Sequence, residues 1–231
     1  MKISIAKLPA DATPEYILKA GITAAGGPVS LACSFSLEDV AIIDIAWKAG
    51  LTLGVFAIDT GRLNEETYEV AEALVERYRL KIDWYFPRHE AVESLERKKG
   101  LFSFRESLEN RHECCHIRKV EPLSRALKGL SGWVTGMRRE QSPTRSELQA
   151  IKLDDLNGGI LKINPLINWS EQELLTYSDE QRLPRNRLYG QGYRSIGCAP
   201  CTRAIGPWDQ VREGRWWWEN PDNKECGLHK R

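Results

Sequence analysis

Residues 28–78, PVSLACSFSLEDVAIIDIAWKAGLTLGVFAIDTGRLNEETYEVAEALVERY, carry the alternation that decides the fold. VSLAC (29–33) is short, apolar and β-branched, and predicts a buried strand. The polar SFSLED (34–39) reads as a loop, and VAIIDIAWKAG (40–50) as a helix closed by Gly50. LTLGVFAID (51–59) is a second buried strand, TGRL a turn, and NEETYEVAEALVERY (64–78) an amphipathic helix. Outward from this core, residues 14–26 predict a helix with Pro14 in its first turn. KIDWYF (81–86) predicts a third strand, and a helix follows near 89–99. Strands alternating with helices imply βαβ units and a largely parallel sheet in an α/β fold. Such sheets bind ligands beyond the C-terminal ends of their strands. SFSLED and DTGRL are therefore the loops where a nucleotide is expected.

The second half is less regular. ECCHIRKVEPLSRAL (113–127) predicts a helix, with Pro122 opening a new segment. GWVTGM (132–137) predicts a strand and RREQSPTRS (138–146) a polar loop. Residues 170–182 predict a helix capped by Ser170, with Glu173 completing a capping box. Beyond Pro184 the chain is rich in Gly, Arg and aromatics, and no regular structure is expected over 219–231.

The 231 residues carry 33 Lys and Arg against 32 Asp and Glu. No net basic field favours nucleic acid or a membrane surface as partner. The first residues lack the apolar core of a signal peptide, and the apolar run near VAIIDIAW is broken by Asp44. A cytoplasmic protein is expected. In that compartment six cysteines read as ligands or catalysts rather than as disulfides.

Cys198 and Cys201 form C-x-x-C, a ligand loop common to zinc and iron–sulfur sites. Cys114 and Cys115 are adjacent. Consecutive helical residues point about 100° apart, which suits one tetrahedral ion poorly. A cubane offers separate iron corners, so the quartet favours an iron–sulfur cluster. A zinc site, or two unrelated pairs of structural cysteines, are the alternatives. Cys33 reads as core. Cys226 lies in KECGLHKR, beside Lys224, His229 and Lys230, which would lower its pKa. It reads equally as a reactive thiol or as an incidental surface thiol.

Donor-rich residues recur in the polar loops. SFSLED supplies Ser34, Ser36, Glu38, Asp39 and backbone N–H groups at a helix start, which favours phosphate. Arg62 follows the second strand. RREQSPTR brings Arg138, Arg139 and Arg145 together, and REGR brings Arg212 and Arg215. Lys119 lies four residues after Cys115, on the same helical face. Each cation alone reads as a solvated surface charge. Together they suggest a small polyanionic substrate, since Arg makes bidentate contacts to phosphate and sulfate. The Trp216–Trp217–Trp218 run reads as packing, and His89, His112 and His116 receive no role.

SFSLED, IDTGRLNEETYE, ECCHIRKVEPL, TGMRREQSPTR, the late C-x-x-C, REGRWWWE and ECGLH, in that order, resemble the assimilatory sulfonucleotide reductase family. Within it they are most similar to the bacterial, thioredoxin-dependent branch that uses adenylyl sulfate (APS). The resemblance implies the adenine-nucleotide α-hydrolase-like (PP-loop) fold over 1–218, including the iron–sulfur site, and a mobile catalytic tail over 219–231. SFSLED stands where ATP-cleaving relatives carry SGGxDS; Phe35 and Ser36 replace the tandem glycines, which argues against ATP cleavage. Branch members with both cysteine pairs bind one [4Fe–4S] cluster per chain, here implying Cys114, Cys115, Cys198 and Cys201 as ligands. The resemblance also implies Cys226 as nucleophile, and Lys119, Arg145, Arg212 and Arg215 facing the substrate's sulfate and phosphate. It implies thioredoxin as reductant and a homo-oligomer. Plant-type relatives carry a fused redoxin domain, for which 231 residues leave no room. The rival readings are 3′-phosphoadenylyl sulfate (PAPS) reduction and a PP-loop tRNA-modifying enzyme with zinc.

Overall fold

The computed structural model describes residues 8–141, 145 and 147–220. The chain divides into two compact units. One comprises Met1–Phe56, Glu69–Asp83 and Gly129–Asn186; the other comprises Ala57–Tyr68, Trp84–Lys128 and Arg187–Arg231.

The first unit is built on a mostly parallel sheet. Helix α1 (Pro14–Ala25) starts where Thr13 accepts a hydrogen bond from the Tyr16 N–H (3.2 Å), with Pro14 as its first residue. Strand β1 (Val29–Cys33) leads into α2 (Leu37–Lys48), β2 (Gly54–Ile58), α3 (Glu65–Tyr78) and β3 (Ile82–Tyr85). Later come β4 (Gly132–Val134), β5 (Ile151–Asp154), β6 (Ile160–Ile163) and α7 (Glu171–Glu180). The strand order is β3-β2-β1-β4-β6-β5. β1 pairs parallel to β4, with Leu31 opposite Val134; β4 pairs parallel to β6, and β5 antiparallel to β6. The order reverses after β1, because β2 lies on one side and β4 on the other. That makes the C-terminal ends of β1 and β4 a topological switch point, where α/β sheets place their ligands.

Two local expectations need correction. SFSLED is not all loop. Ser36 is the extended N-cap (φ −68°, ψ 161°) and α2 begins at Leu37, so Glu38 and Asp39 form its acidic first turn. Acidic groups complement the helix dipole there, which is why the helix starts three residues earlier than the apolar run suggested. β5 and β6 were not foreseen. They are short, and Asp155–Asn157 with Gly158 and Gly159 at positive φ turns the chain between them. Ser170 and Glu173 form the expected capping box of α7.

Buried Asp44 knits α2, α3 and α7 together. Its carboxylate accepts from the Tyr78 hydroxyl (2.9 Å) and the Tyr177 hydroxyl (2.6 Å), and pairs with Lys48 (2.7 Å).

In the second unit α4 (His89–Lys99) precedes α5 (Leu108–Cys115), a π-helical turn over His116–Val120, and α6 (Glu121–Leu127). The helix expected over 113–127, with a new segment opening at Pro122, is three segments, and the first begins at the Ser107 cap, which accepts from the Asn110 N–H (3.1 Å). Pro122 explains the break. It lacks an N–H for the Arg118 carbonyl, and its ring would press on that carbonyl in an α-helix; the wider π turn relieves both. Among the described residues no helix is long and apolar enough to cross a membrane.

Burial pushes the Asp44 pKa up, but the hydrogen bonds from Lys48, Tyr177 and Tyr78 outweigh it and hold the carboxyl below its ordinary value. Its contribution is therefore complete above about pH 4 and is lost as pH falls below that. Asp44→Ala is expected to lower stability by about 3 kcal/mol at pH 7, since two tyrosine hydroxyls lose their acceptor. Urea unfolding from pH 7 to pH 3 checks this: the deficit should shrink only below about pH 4.

Candidate functional site

In the first unit a polar network occupies the C-terminal ends of β1 and β4. Phe35 is buried with φ +63°, a sharp and strained turn for a bulky residue, and it separates Ser34 from the α2 N-cap. Oδ2 of Asp39 accepts from the Ser34 N–H (2.7 Å) and the Ser34 hydroxyl (2.8 Å). Gly136, just past β4, packs against this turn; a Cβ there would lie 2.7 Å from Asp39 Oδ1 and from Glu38 Cβ, so only glycine permits the approach.

Glu38 Oε1 accepts from Arg138 Nε (3.2 Å), Arg138 Nη2 (3.1 Å) and Gln141 Nε2 (2.8 Å). Arg138 Nη1 continues to the Trp169 carbonyl (3.2 Å), and Gln141 accepts from Arg145. Glu38 and Asp39 therefore shape the loop from within, whereas Ser34 is exposed and Ser36 partly so. Arg145 is buried at the end of the network. Arg138 was named in sequence only as one of three loop arginines; here it is the residue that ties β4's loop to α2.

In the second unit the four cysteines meet. Cys114, Cys115, Cys198 and Cys201 line one cavity together with Arg62, Phe104, Arg111, Arg118, Lys119 and Trp216. The loop after β2 holds the C-x-x-C segment. Thr60 Oγ1 lies 3.3 Å from Cys198 Sγ, the Ala199 N–H donates to the Arg62 carbonyl (2.8 Å), and Asn64 Nδ2 donates to the Gly197 carbonyl (3.3 Å). A one-turn 3-10 helix, Ala199–Cys201, curls the two thiols to one side. The REGRW segment docks against it. Thr202 bridges to Arg215, and the Trp216 N–H donates to the Cys201 carbonyl (3.1 Å). A Cβ on Gly197 would lie 2.2 Å from Arg215 Nη2, so its absence lets the guanidinium lie on the backbone.

The electrostatics of this cavity are strongly cationic. Arg111 forms a bidentate pair with Glu219 (2.9 and 2.8 Å) and stacks on Trp216, and Arg215 stacks on the same ring. Lys119 lines the cavity. Arg118, four residues after Cys114, does the same and was overlooked. Arg212 is partly buried near Arg215 but does not line the cavity. Asp59 shapes the β2 loop by accepting from the Gly61 N–H (2.7 Å) and the Tyr68 hydroxyl (2.8 Å).

Burial pushes the Cys201 thiol up to about 12, with Cys198 beside it adding to the shift. Burial likewise raises Cys114 against the opposing pull of Arg62 and Arg118. Four buried side-chain nitrogens, Arg62 Nη1, Arg118 Nε, Arg215 Nε and Trp216 Nε1, have no hydrogen-bond acceptor among the described residues. Each unmet buried donor costs about 1–3 kcal/mol. All four belong to this neighbourhood, so the cavity is suited to an anionic occupant rich in acceptors and ligated by thiolate. Among the described residues no three His, Cys, Asp or Glu side chains converge on a single metal ion; the four cysteines line one cavity. Cys33 is buried in β1, as expected. Cys226 lies outside the described residues.

A family model described as phosphoadenosine phosphosulfate reductase domain matches residues 28–204. The chain is 48% identical to the "Adenosine 5'-phosphosulfate reductase" of Allochromatium vinosum, over 88% of this chain and 79% of that protein. It is 47% identical to the protein of the same name from Burkholderia cepacia, over 87% and 80% respectively. Among solved structures, phosphoadenylyl-sulfate (PAPS) reductase from Candida auris in its phosphate complex superposes with TM-score 0.70 at 28% identity, covering 84% of this chain and 91% of that one.

Burial dominates Asp39 and raises its pKa to about 6, against the stabilising bonds from Ser34. An acid raised on folding gives stability that is full below its unfolded pKa of about 3.9 and is lost as pH rises to about 6. Two pKa steps correspond to on the order of 3 kcal/mol. Asp39→Asn keeps one oxygen for both Ser34 donors and cannot ionise. Its stability, followed by denaturant unfolding, should stay flat across the pH 4–6 window in which the parent protein weakens.

Proposed function

This chain belongs to the phosphoadenosine phosphosulfate reductase domain family, and on that premise we propose that it reduces APS to sulfite and AMP, with thioredoxin as thiol donor. The observation that carries the reading is the cavity ringed by Cys114, Cys115, Cys198 and Cys201, whose unmet N–H donors ask for an anionic centre. In this family that quartet distinguishes the APS-using branch from most PAPS reductases. Relatives named for APS at 47–48% identity support the same choice.

The four thiolates would hold one [4Fe–4S] cluster, which supplies a compact anionic iron–sulfur centre for the surrounding guanidinium groups to neutralise. Four separate thiols around a space suit a polynuclear centre better than one tetrahedral ion. Because thiols bind iron as thiolates, loading would release protons and be favoured by rising pH.

Cys226 is the nucleophile in this reading. The resemblance of the ECGLH segment to the family's carries this role; the five described cysteines of the six are buried. Its thiolate attacks the sulfur of APS, the S–O bond to the phosphate breaks, and AMP leaves with the electron pair. The product on the enzyme is Cys226–S–SO3⁻. A thioredoxin thiolate then attacks the Cys226 sulfur and expels sulfite. The second thioredoxin thiol resolves the mixed disulfide, so thioredoxin is oxidised and Cys226 is restored as thiol. Lys119, Arg145, Arg212 and Arg215 act on the anionic groups of substrate and leaving AMP. Ser34, Ser36 and the N–H groups of the α2 start serve the nucleotide's phosphate.

Protein purified anaerobically should be yellow-brown, with iron and acid-labile sulfide each about four per chain. Colourless protein with one zinc would remove the cluster and favour the tRNA-modifying rival. Turnover on APS should greatly exceed turnover on PAPS; the reverse preference assigns the chain to the other branch. Cys226→Ser should keep its iron and lose sulfite formation by roughly 10³-fold or more. Wild-type sulfite production by that variant would eliminate the covalent step.

A further inference from the structure

Arg62 and Arg118 reach the cysteine cavity from separate segments of the second unit, the loop after β2 and the π turn, and share one carboxylate oxygen. Oε1 of Glu96, on α4, accepts from Arg62 Nη2 at 2.8 Å and from Arg118 Nη2 at 2.5 Å. Each arginine donates one further hydrogen bond, to a backbone carbonyl. Arg62 Nη2 also donates to the Leu101 carbonyl (2.8 Å), and its plane lies over the Phe104 ring, 5.0 Å from the centroid. Arg118 Nη1 donates to the Thr60 carbonyl (2.7 Å). Each arginine is left with one buried side-chain nitrogen that has no acceptor among the described residues: Nη1 of Arg62 and Nε of Arg118.

A guanidinium is a rigid planar fork, so fixing one arm fixes the direction of the others. Both arginines line the cavity and Glu96 does not. Their side chains are largely buried, at 15% and 6% exposed, so neither cation is held in place by water. Two like charges brought this close would turn apart without an anion between them. We propose that Glu96 is a positioning residue for the iron–sulfur centre: it clamps Arg62 and Arg118 so that Arg62 Nη1 and Arg118 Nε donate to the sulfurs of the cluster and its cysteine ligands. This rests on the cluster assignment made above and adds to it a residue outside the cavity wall.

N–H···S hydrogen bonds weaken and shift iron–sulfur stretching, and the shift changes when the donor proton is replaced by deuterium. The full chain, anaerobically loaded, serves for the test as wild type, Glu96→Gln and Glu96→Ala. Resonance Raman spectra in H2O and D2O read the hydrogen bonds, and the rate of iron release to a chelator reads their contribution to retention. Wild type should show a deuterium shift in the iron–sulfur bands. Glu96→Ala should lose most of it and release iron about tenfold faster, the usual scale for loss of an outer-shell partner. Glu96→Gln keeps an acceptor oxygen and should restore part of the shift. Circular dichroism of each variant separates loss of folding from loss of the clamp, and if Glu96→Ala does not load, Glu96→Gln decides by the same two readouts. Loaded variants with the wild-type deuterium shift and wild-type release rate overturn the clamp while leaving the cluster assignment intact. Iron-free wild-type protein overturns both.

Discussion

Burying a guanidinium is tolerable only when its N–H groups find acceptors and its charge finds a counterion. The second unit meets that constraint with a small set of carboxylates. Glu219 holds Arg111 through two parallel bonds, and Glu96 holds Arg62 and Arg118 through one oxygen. What these pairs leave unmet is confined to the wall of the cysteine cavity. Cys114, Cys198 and Cys201 sit in an apolar cluster with Leu95, Phe104 and Trp216. Packing and charge therefore make the same demand of the space between the thiols, and a thiolate-ligated anion satisfies both.

The first unit solves a different problem, that of presenting backbone N–H groups and hydroxyls at a sheet's switch point. Its means are local: a buried aromatic at φ +63°, a carboxylate that takes both Ser34 donors, and a glycine that lets β4's loop close on α2. The Glu38–Arg138–Gln141–Arg145 network then fixes that loop from behind. The acidic residues of SFSLED thus hold this turn from within.

Much of this was legible in the sequence, for identifiable reasons. β1 and β2 were visible because buried parallel strands are continuous apolar runs, and α7 because Ser170 and Glu173 announce its start. The start of α2 was misplaced because apolar periodicity carries no information about a polar first turn. β5 and β6 hid because four-residue strands broken by glycines give too short a pattern. Cys114 to Arg118 and Cys115 to Lys119 share the same spacing, so one rule covered both cations and was applied to one. Glu96 left no trace at all. It is one acidic residue on a highly charged helix, and its partners lie 34 residues before it and 22 after it.

The π turn at His116–Val120 bears on the length of this chain rather than on its composition. Surface connections usually absorb insertions and deletions. Between Ser107 and Leu127 the backbone is helical throughout, and each residue added or removed rotates everything beyond it by about 100°. The π turn, wound i→i+5, holds one residue more than an α turn, so it absorbs that rotation and leaves Leu123, Ala126 and Leu127 facing the core they fill. The π turn is thus where the stretch between the tandem cysteines and α6 accommodates one extra residue, so that both flanking segments keep their faces.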